Sequence, residues 1–106
     1  MSPDIREMMA VQAEWISGVL PNRDPRKTVL KLNTEAVELT EALLLGFTQS
    51  GVKKEVGDCL VLLLDICKLT EIDPSEAFYY AMEINRQRQW VEVNGSLTHV
   101  KEKGNG

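Results

Sequence analysis

The chain has 106 residues, of which 43% are apolar, and a formal net charge of −4. That is enough for one domain with a single hydrophobic core, and small enough for burial against a partner to add to its stability. The acidic balance and the lack of a long Lys/Arg run argue against a nucleic-acid polymer as ligand, since phosphate backbones are held by basic faces.

Ser2-Pro3 reads as a helix start, with a hydroxyl cap followed by proline at the first helical position. Ile5, Met8, Met9, Gln12, Trp15, Ile16 and Val19 then keep the three-to-four spacing of an amphipathic helix. The start is polar and no cleavable apolar segment follows, so no signal peptide is expected. The stretch from Pro21 to Pro25 ends this helix, and Asp24-Pro25 repeats the cap-then-proline signal. A second helix is predicted from about Pro25 to Leu45, turning Val29, Leu32, Ala36, Leu39 and Leu43 inward. Gly46, Thr48, Gln49, Ser50 and Gly51 break the rhythm and predict a turn.

A third helix should run from about Gly51 to Thr70. It is apolar on most sides between Cys59 and Leu64, which predicts burial on more than one face and, in so small a chain, cover from a second protomer. The same stretch is too short and too interrupted to span a bilayer. Cys59 and Cys67 stand too far apart along that helix to bridge and read as reduced core residues of a cytoplasmic protein. Asp65, embedded in the apolar run, needs a cation if buried; Lys31, Arg86 and Arg88, from this or another chain, are the candidates.

Asp73, Pro74 and Glu76 supply cap, first helical residue and capping box for a fourth helix to about Gln89, with Ala77, Tyr80, Ala81 and Ile84 inside. Beyond Trp90 the period changes: two alternating runs flank Asn94-Gly95, predicting a β-hairpin over about 90–100 and a mobile tail at 101–106. His99 falls on the hairpin without clustered acids or thiols, a poor metal-site candidate.

Four acids organise the middle of the chain. Glu35 and Glu38 lie three residues apart on the second helix, and Glu55 and Asp58 three apart on the third, so each pair shares a helix face. Both pairs are centred on the same point between Gly46 and Phe47. If the helices fold back as an antiparallel hairpin, the two pairs lie level and face each other. Carboxylates so gathered repel unless a cation sits among them, and an all-oxygen set suits Mg²⁺ or Mn²⁺ better than Zn²⁺. The alternative reading is of ordinary solvated acids on amphipathic helices.

Glu35-Ala36-Val37-Glu38 and Glu55-Val56-Gly57-Asp58, with sixteen residues between them and Asn85-Arg86-Gln87-Arg88 downstream, resemble the ExxE and ExxD signature of the MazG-like, all-α nucleoside triphosphate pyrophosphohydrolases. The similarity covers most of the chain. It implies an oligomeric helical bundle, with Glu35, Glu38, Glu55 and Asp58 as Mg²⁺ ligands and Asn85 and Arg88 contacting metal-bound phosphate or sugar. It places Lys31, one turn before Glu35, within reach of a phosphate, and Trp15 against a nucleobase across a protomer interface; a packing role for Trp15 stays open. Gln12, three residues earlier, reads as a surface glutamine or a base-edge reader. Where members of this family often have a double Glu, Thr34 precedes Glu35 here, so the group that activates water is open between Glu38 and Glu35.

The expectation is therefore a single all-α domain over 1–106, four helices with a short C-terminal β-hairpin, assembled as a homodimer or homotetramer. Its activity would be Mg²⁺-dependent hydrolysis of a (deoxy)nucleoside triphosphate to the monophosphate and pyrophosphate, serving nucleotide-pool cleansing. A dUTP or dCTP hydrolase and a relative acting on phosphoribosyl-ATP are narrower variants. A non-catalytic metal- or nucleotide-binding regulatory module is the alternative from another class.

Overall fold

The computed structural model describes residues 4–100; the Ser2-Pro3 start signal and the 101–106 tail lie outside the described residues. Four helices and one two-stranded sheet follow in order: α1 (Ile5–Val19), α2 (Pro25–Leu44), α3 (Gln49–Leu69), α4 (Pro74–Gln87), β1 (Trp90–Val93) and β2 (Ser96–His99). The all-α expectation with a terminal hairpin holds, and the helix limits fall within a few residues of those predicted. The chain divides into two compact units, one ending at Ser75 and one beginning at Glu76.

The helix ends follow local chemistry. Asp4 caps α1, its carboxylate accepting from the amides of Arg6 at 2.8 Å and Glu7 at 3.1 Å. Asp24 caps α2 through the amide of Arg26, with Pro25 at the first helical position. The Arg26 side chain also grips Asp24 and, chiefly through that hydrogen bond, lowers the pKa of its carboxyl. After Leu44 the chain turns left-handed at Gly46, where φ is 70°, and the Phe47 amide donates to the Ala42 carbonyl. This six-to-one bond is the Schellman closure that a glycine makes cheap. Thr48 then caps α3 by accepting from the Gly51 amide. A second such closure ends α3, with the Ile72 amide donating to Cys67 and Glu71 taking the left-handed position.

In the first unit α3 is the middle element, packing against α2 and α1. Its apolar core is thin: Ala42 and Leu64 are the buried hydrophobic side chains among the described residues. Several residues expected to face inward do not. Val29, Ala36 and Leu43 on α2 are exposed, as is Val19 on α1, because among the described residues α3 is the main neighbour of each of these helices and covers one stripe of it. Among the described residues no helix is long and apolar enough to cross a membrane.

Between α1 and α2 the chain is pinned by an ion pair. Arg23 donates through Nε and Nη2 to the Asp65 carboxylate at 2.6–3.1 Å, Thr28 adds its hydroxyl at 3.4 Å, and Arg23 Nη1 holds the Leu20 carbonyl. The partner of Asp65 is therefore Arg23, and Lys31, Arg86 and Arg88 are not.

The second unit consists of most of α4 and the hairpin. Asn94 and Gly95 both have positive φ, 51° and 80°, matching the two-residue turn their types favour. Trp90 pairs with His99 across the strands, and its indole N–H donates to the Asn85 carbonyl at 2.9 Å, tying the hairpin to the last turn of α4. Tyr80 and Ala81, expected inside, are exposed, since one helix and a short hairpin offer too little mass to cover them.

The Arg23–Asp65 pair gives a stability prediction. With side-chain exposures of 10% and 4%, removing one partner leaves an uncompensated buried charge, and Arg23→Ala should cost about 3–5 kcal/mol in urea unfolding. The double replacement Arg23→Met/Asp65→Leu should recover most of that loss; a single variant as stable as the parent would contradict the assignment.

Candidate active site

The helical hairpin brings the acids together as their spacing demands. Glu35 from α2 and Glu55 and Asp58 from α3 each offer a carboxylate oxygen, and these oxygens lie within 4.8 Å of one another. Glu38 lies against Glu35: its pKa is raised chiefly by hydrogen bonding with Glu35, then by the charges of Glu35 and Glu55. Glu35 is shifted the other way, lowered by that same hydrogen bond and by Lys31. Glu41 is exposed on the same helix.

Two lysines offset part of the negative charge. Lys31 approaches Glu35 at 3.1 Å and Lys54 approaches Asp58 at 2.7 Å, each four residues from its acid. Lys54 escaped the sequence reading, although its four-residue spacing to Asp58 was a usable signal. These pairs leave two oxygens unserved. Glu35 Oε2 and Glu55 Oε2 are buried without a hydrogen-bond donor. Buried acceptors of that kind call for a cation, and an oxygen-only set fits a hard divalent ion. Cys59 stands beside the cluster, but burial and the surrounding carboxylates push its thiol pKa up, so it stays a protonated neutral neighbour.

A cavity of about 570 Å³ opens from the acids between the three helices of the first unit. Glu35 and Asp58 form part of its wall, with Lys27 and Lys31 beside them and Trp15, Ile16, Val61 and Leu62 as apolar lining. Trp15 is 59% exposed, an indole presented to the cavity rather than packed into a core. Gln12 is not a surface residue: at 7% exposure it is buried in the wall, and its Oε1 finds no donor. Lys27, one turn before Lys31, was also missed, because an exposed lysine on a helix carries no distinguishing pattern. Asn85 and Arg88 belong to the second unit. Asn85 is half-buried in the last turn of α4, while Arg88 sits just past the helix end instead of on it.

No protein-family model matches the chain. Among curated proteins, a dATP/dGTP diphosphohydrolase of cyanophage S-2L is 34% identical over 101 residues, covering 94% of this chain and 91% of that protein. Among solved structures, the cyanophage S-2L MazG-like pyrophosphohydrolase bound to dGDP and three catalytic Mn²⁺ ions per active site matches with a TM-score of 0.76. Its identity is 33%, and the match covers 94% of this chain and 100% of that one.

Glu38 supplies a test of the acid cluster. A carboxyl whose folded-state pKa is raised contributes stability below its unfolded value, and that contribution is lost as pH rises through the folded value. A bound divalent cation removes the repulsion responsible and expels the proton. The rise in melting temperature caused by Mn²⁺ should therefore grow from about pH 4 to about pH 7 and then level off. Glu38→Gln should flatten that rise, and Glu55→Gln/Asp58→Asn should abolish the Mn²⁺ effect; a shift independent of pH is the contrary result.

Proposed function

The chain belongs to the MazG-like nucleotide pyrophosphohydrolases, and on that premise we propose that it converts a purine deoxynucleoside triphosphate to the monophosphate and pyrophosphate. The observation that carries this reading is the pair of donorless carboxylate oxygens on Glu35 and Glu55, clustered with Asp58 where Glu35 and Asp58 border a cavity large enough for a nucleoside and lined by lysines. The purine preference takes its support from the dATP/dGTP specificity of the S-2L relative.

A divalent ion is the cofactor, and we assign Mg²⁺ as the working ion with Mn²⁺ as a substitute, since both accept all-oxygen ligands. Glu35, Glu55 and Asp58, with Glu38 beside them, would hold it. When bound, it supplies charge neutralisation on the phosphate oxygens and makes a water molecule more acidic. The remaining steps belong to side chains. Glu38, adjacent to the tight set of oxygens rather than within it, accepts the proton of the attacking water, with Glu35 as the alternative base. The water oxygen bonds to the α-phosphorus as the α–β bridging P–O bond breaks, and pyrophosphate leaves with the bridging oxygen. Lys31 and Lys27 line the cavity where cationic charge would stabilise that leaving group. Trp15 provides a face for the base, and Asn85 and Arg88 are proposed contacts for phosphate or sugar.

We further propose that the chain works as one domain in a homodimer or homotetramer. Support comes from Leu43, Leu44 and Leu45 at the end of α2, three large apolar side chains in succession that are between 63% and 80% exposed. Free Cys59 and Cys67 fit a reducing, cytoplasmic setting.

Turnover of canonical and modified nucleoside triphosphates with Mg²⁺, products separated, tests the reaction. Monophosphate and pyrophosphate should appear, and Glu38→Gln should slow turnover at saturating Mg²⁺ by at least about a hundredfold. Near-parental rates in both Glu38→Gln and Glu35→Gln would remove the general base from this cluster. Sedimentation should give at least twice the 11.9 kDa chain mass, whereas a monomer would refute the proposed assembly.

A further inference from the structure

We infer that Gln12 reads the edge of the base, and that rotation of its carboxamide lets this one side chain serve adenine and guanine alike. The inference deepens the purine reading above and rests on it. Gln12 shares a face of α1 with Trp15 and Ile16, three and four residues on, and all three line the cavity that reaches Glu35 and Asp58.

What sets Gln12 apart is an uncommitted polar atom in a buried place. Its Oε1 has no donor although the residue is 7% exposed. Outside the acid cluster, where the free oxygen of Glu35 is matched to a cation, the other deeply placed polar groups of that wall are already engaged. Both Asp65 oxygens are taken up by Arg23 and Thr28, and Arg23 also donates to Leu20. A buried amide oxygen without a partner is costly, and a ligand N–H is the group that would complete it.

A carboxamide carries an acceptor and a donor side by side. Adenine presents its N6 amino donor next to the N1 acceptor, and guanine its O6 acceptor next to the N1–H donor: the same pair in reverse order. A half-turn of the terminal amide exchanges Oε1 with Nε2, about a torsion that is broad and two-fold. The site thus accepts both purine edges without a second reader. Pyrimidines carry similar pairs on a smaller ring, so exclusion of pyrimidines falls to the dimensions of the apolar walls.

The test compares kcat/KM for dATP and dGTP in the unaltered protein, Gln12→Glu and Gln12→Met, at saturating Mg²⁺ and about pH 8, where a glutamate is ionised. A carboxylate offers acceptors alone, which suits the N1–H and N2–H of guanine and opposes N1 of adenine. Gln12→Glu should raise the dGTP/dATP ratio by about tenfold or more, and Gln12→Met should lose about tenfold on both, mainly through KM. The unaltered protein should also process the deoxyribonucleoside triphosphate of unsubstituted purine about tenfold less well than dATP, a measurement that needs no variant to fold. A ratio within about twofold of the parent in folded Gln12→Glu, or equal use of unsubstituted purine and dATP, overturns the assignment to Gln12. Failure of the unaltered protein to hydrolyse either dATP or dGTP is a separate result, which overturns the purine reading and this inference with it.

Discussion

Mutual repulsion among carboxylates is the constraint on which this structure depends. Glu35, Glu55 and Asp58 hold oxygens within 4.8 Å of one another, and Glu38 adds a fourth acid at their edge. A fold that gathers them gives up electrostatic energy unless positive charge arrives. In the protein alone, Lys31 and Lys54 provide part of it, each from one turn earlier on its own helix. Exposed pairs of this kind are weak, and they leave Glu35 Oε2 and Glu55 Oε2 without donors. A divalent ion held there would meet the need of those oxygens and lessen the hold of Glu35 on Lys31 and of Asp58 on Lys54, which would leave Lys31, on the cavity wall, more of its charge to offer a ligand.

A second constraint shapes the space beside the acids. Arg23 reaches from the α1–α2 connection to Asp65 on α3, so a loop that would otherwise be loosely tethered is held against the middle helix. Its two-nitrogen grip carries directional information as well as charge. The cavity wall is thereby fixed at the connection as well as along the helices, and Gln12 and Trp15 on α1 keep their distance from α3. The pair shapes the cavity from a part of its wall outside the acid cluster.

Much of this was legible in local sequence. Asp24-Pro25 and Asn94-Gly95 announced a helix start and a strand turn because each acts through its own backbone. The three-residue spacing of the acids, mirrored about Gly46 and Phe47, announced the cluster because a helical hairpin converts sequence symmetry into level side chains. Long-range choices were not legible. Arg23 and Asp65 are 42 residues apart, and nothing in either neighbourhood names the other, so more familiar cations downstream looked equally suitable. The burial of Gln12 was hidden for a related reason: an amphipathic pattern says which face turns inward but not that a polar member of that face will be enclosed. The exposed faces of α2 and α4 mark the same limit, since apolar periodicity records that a face is to be covered and not which chain covers it.

The bend between α2 and α3 bears on how this chain can change length. Gly46 and the Phe47–Ala42 bond close one arm, and Thr48 opens the next, so each arm is terminated by its own local device. Adding a residue inside an arm, between Glu38 and Leu44 or between Gln49 and Glu55, would rotate everything beyond it by about 100° and advance it by about 1.5 Å, carrying one acid pair off the shared face. Adding a residue within the bend leaves both arms in register. Insertions and deletions among descendants of this sequence should therefore collect in the few positions around Phe47, while the spans that connect the bend to the acids keep their length even where their side chains drift.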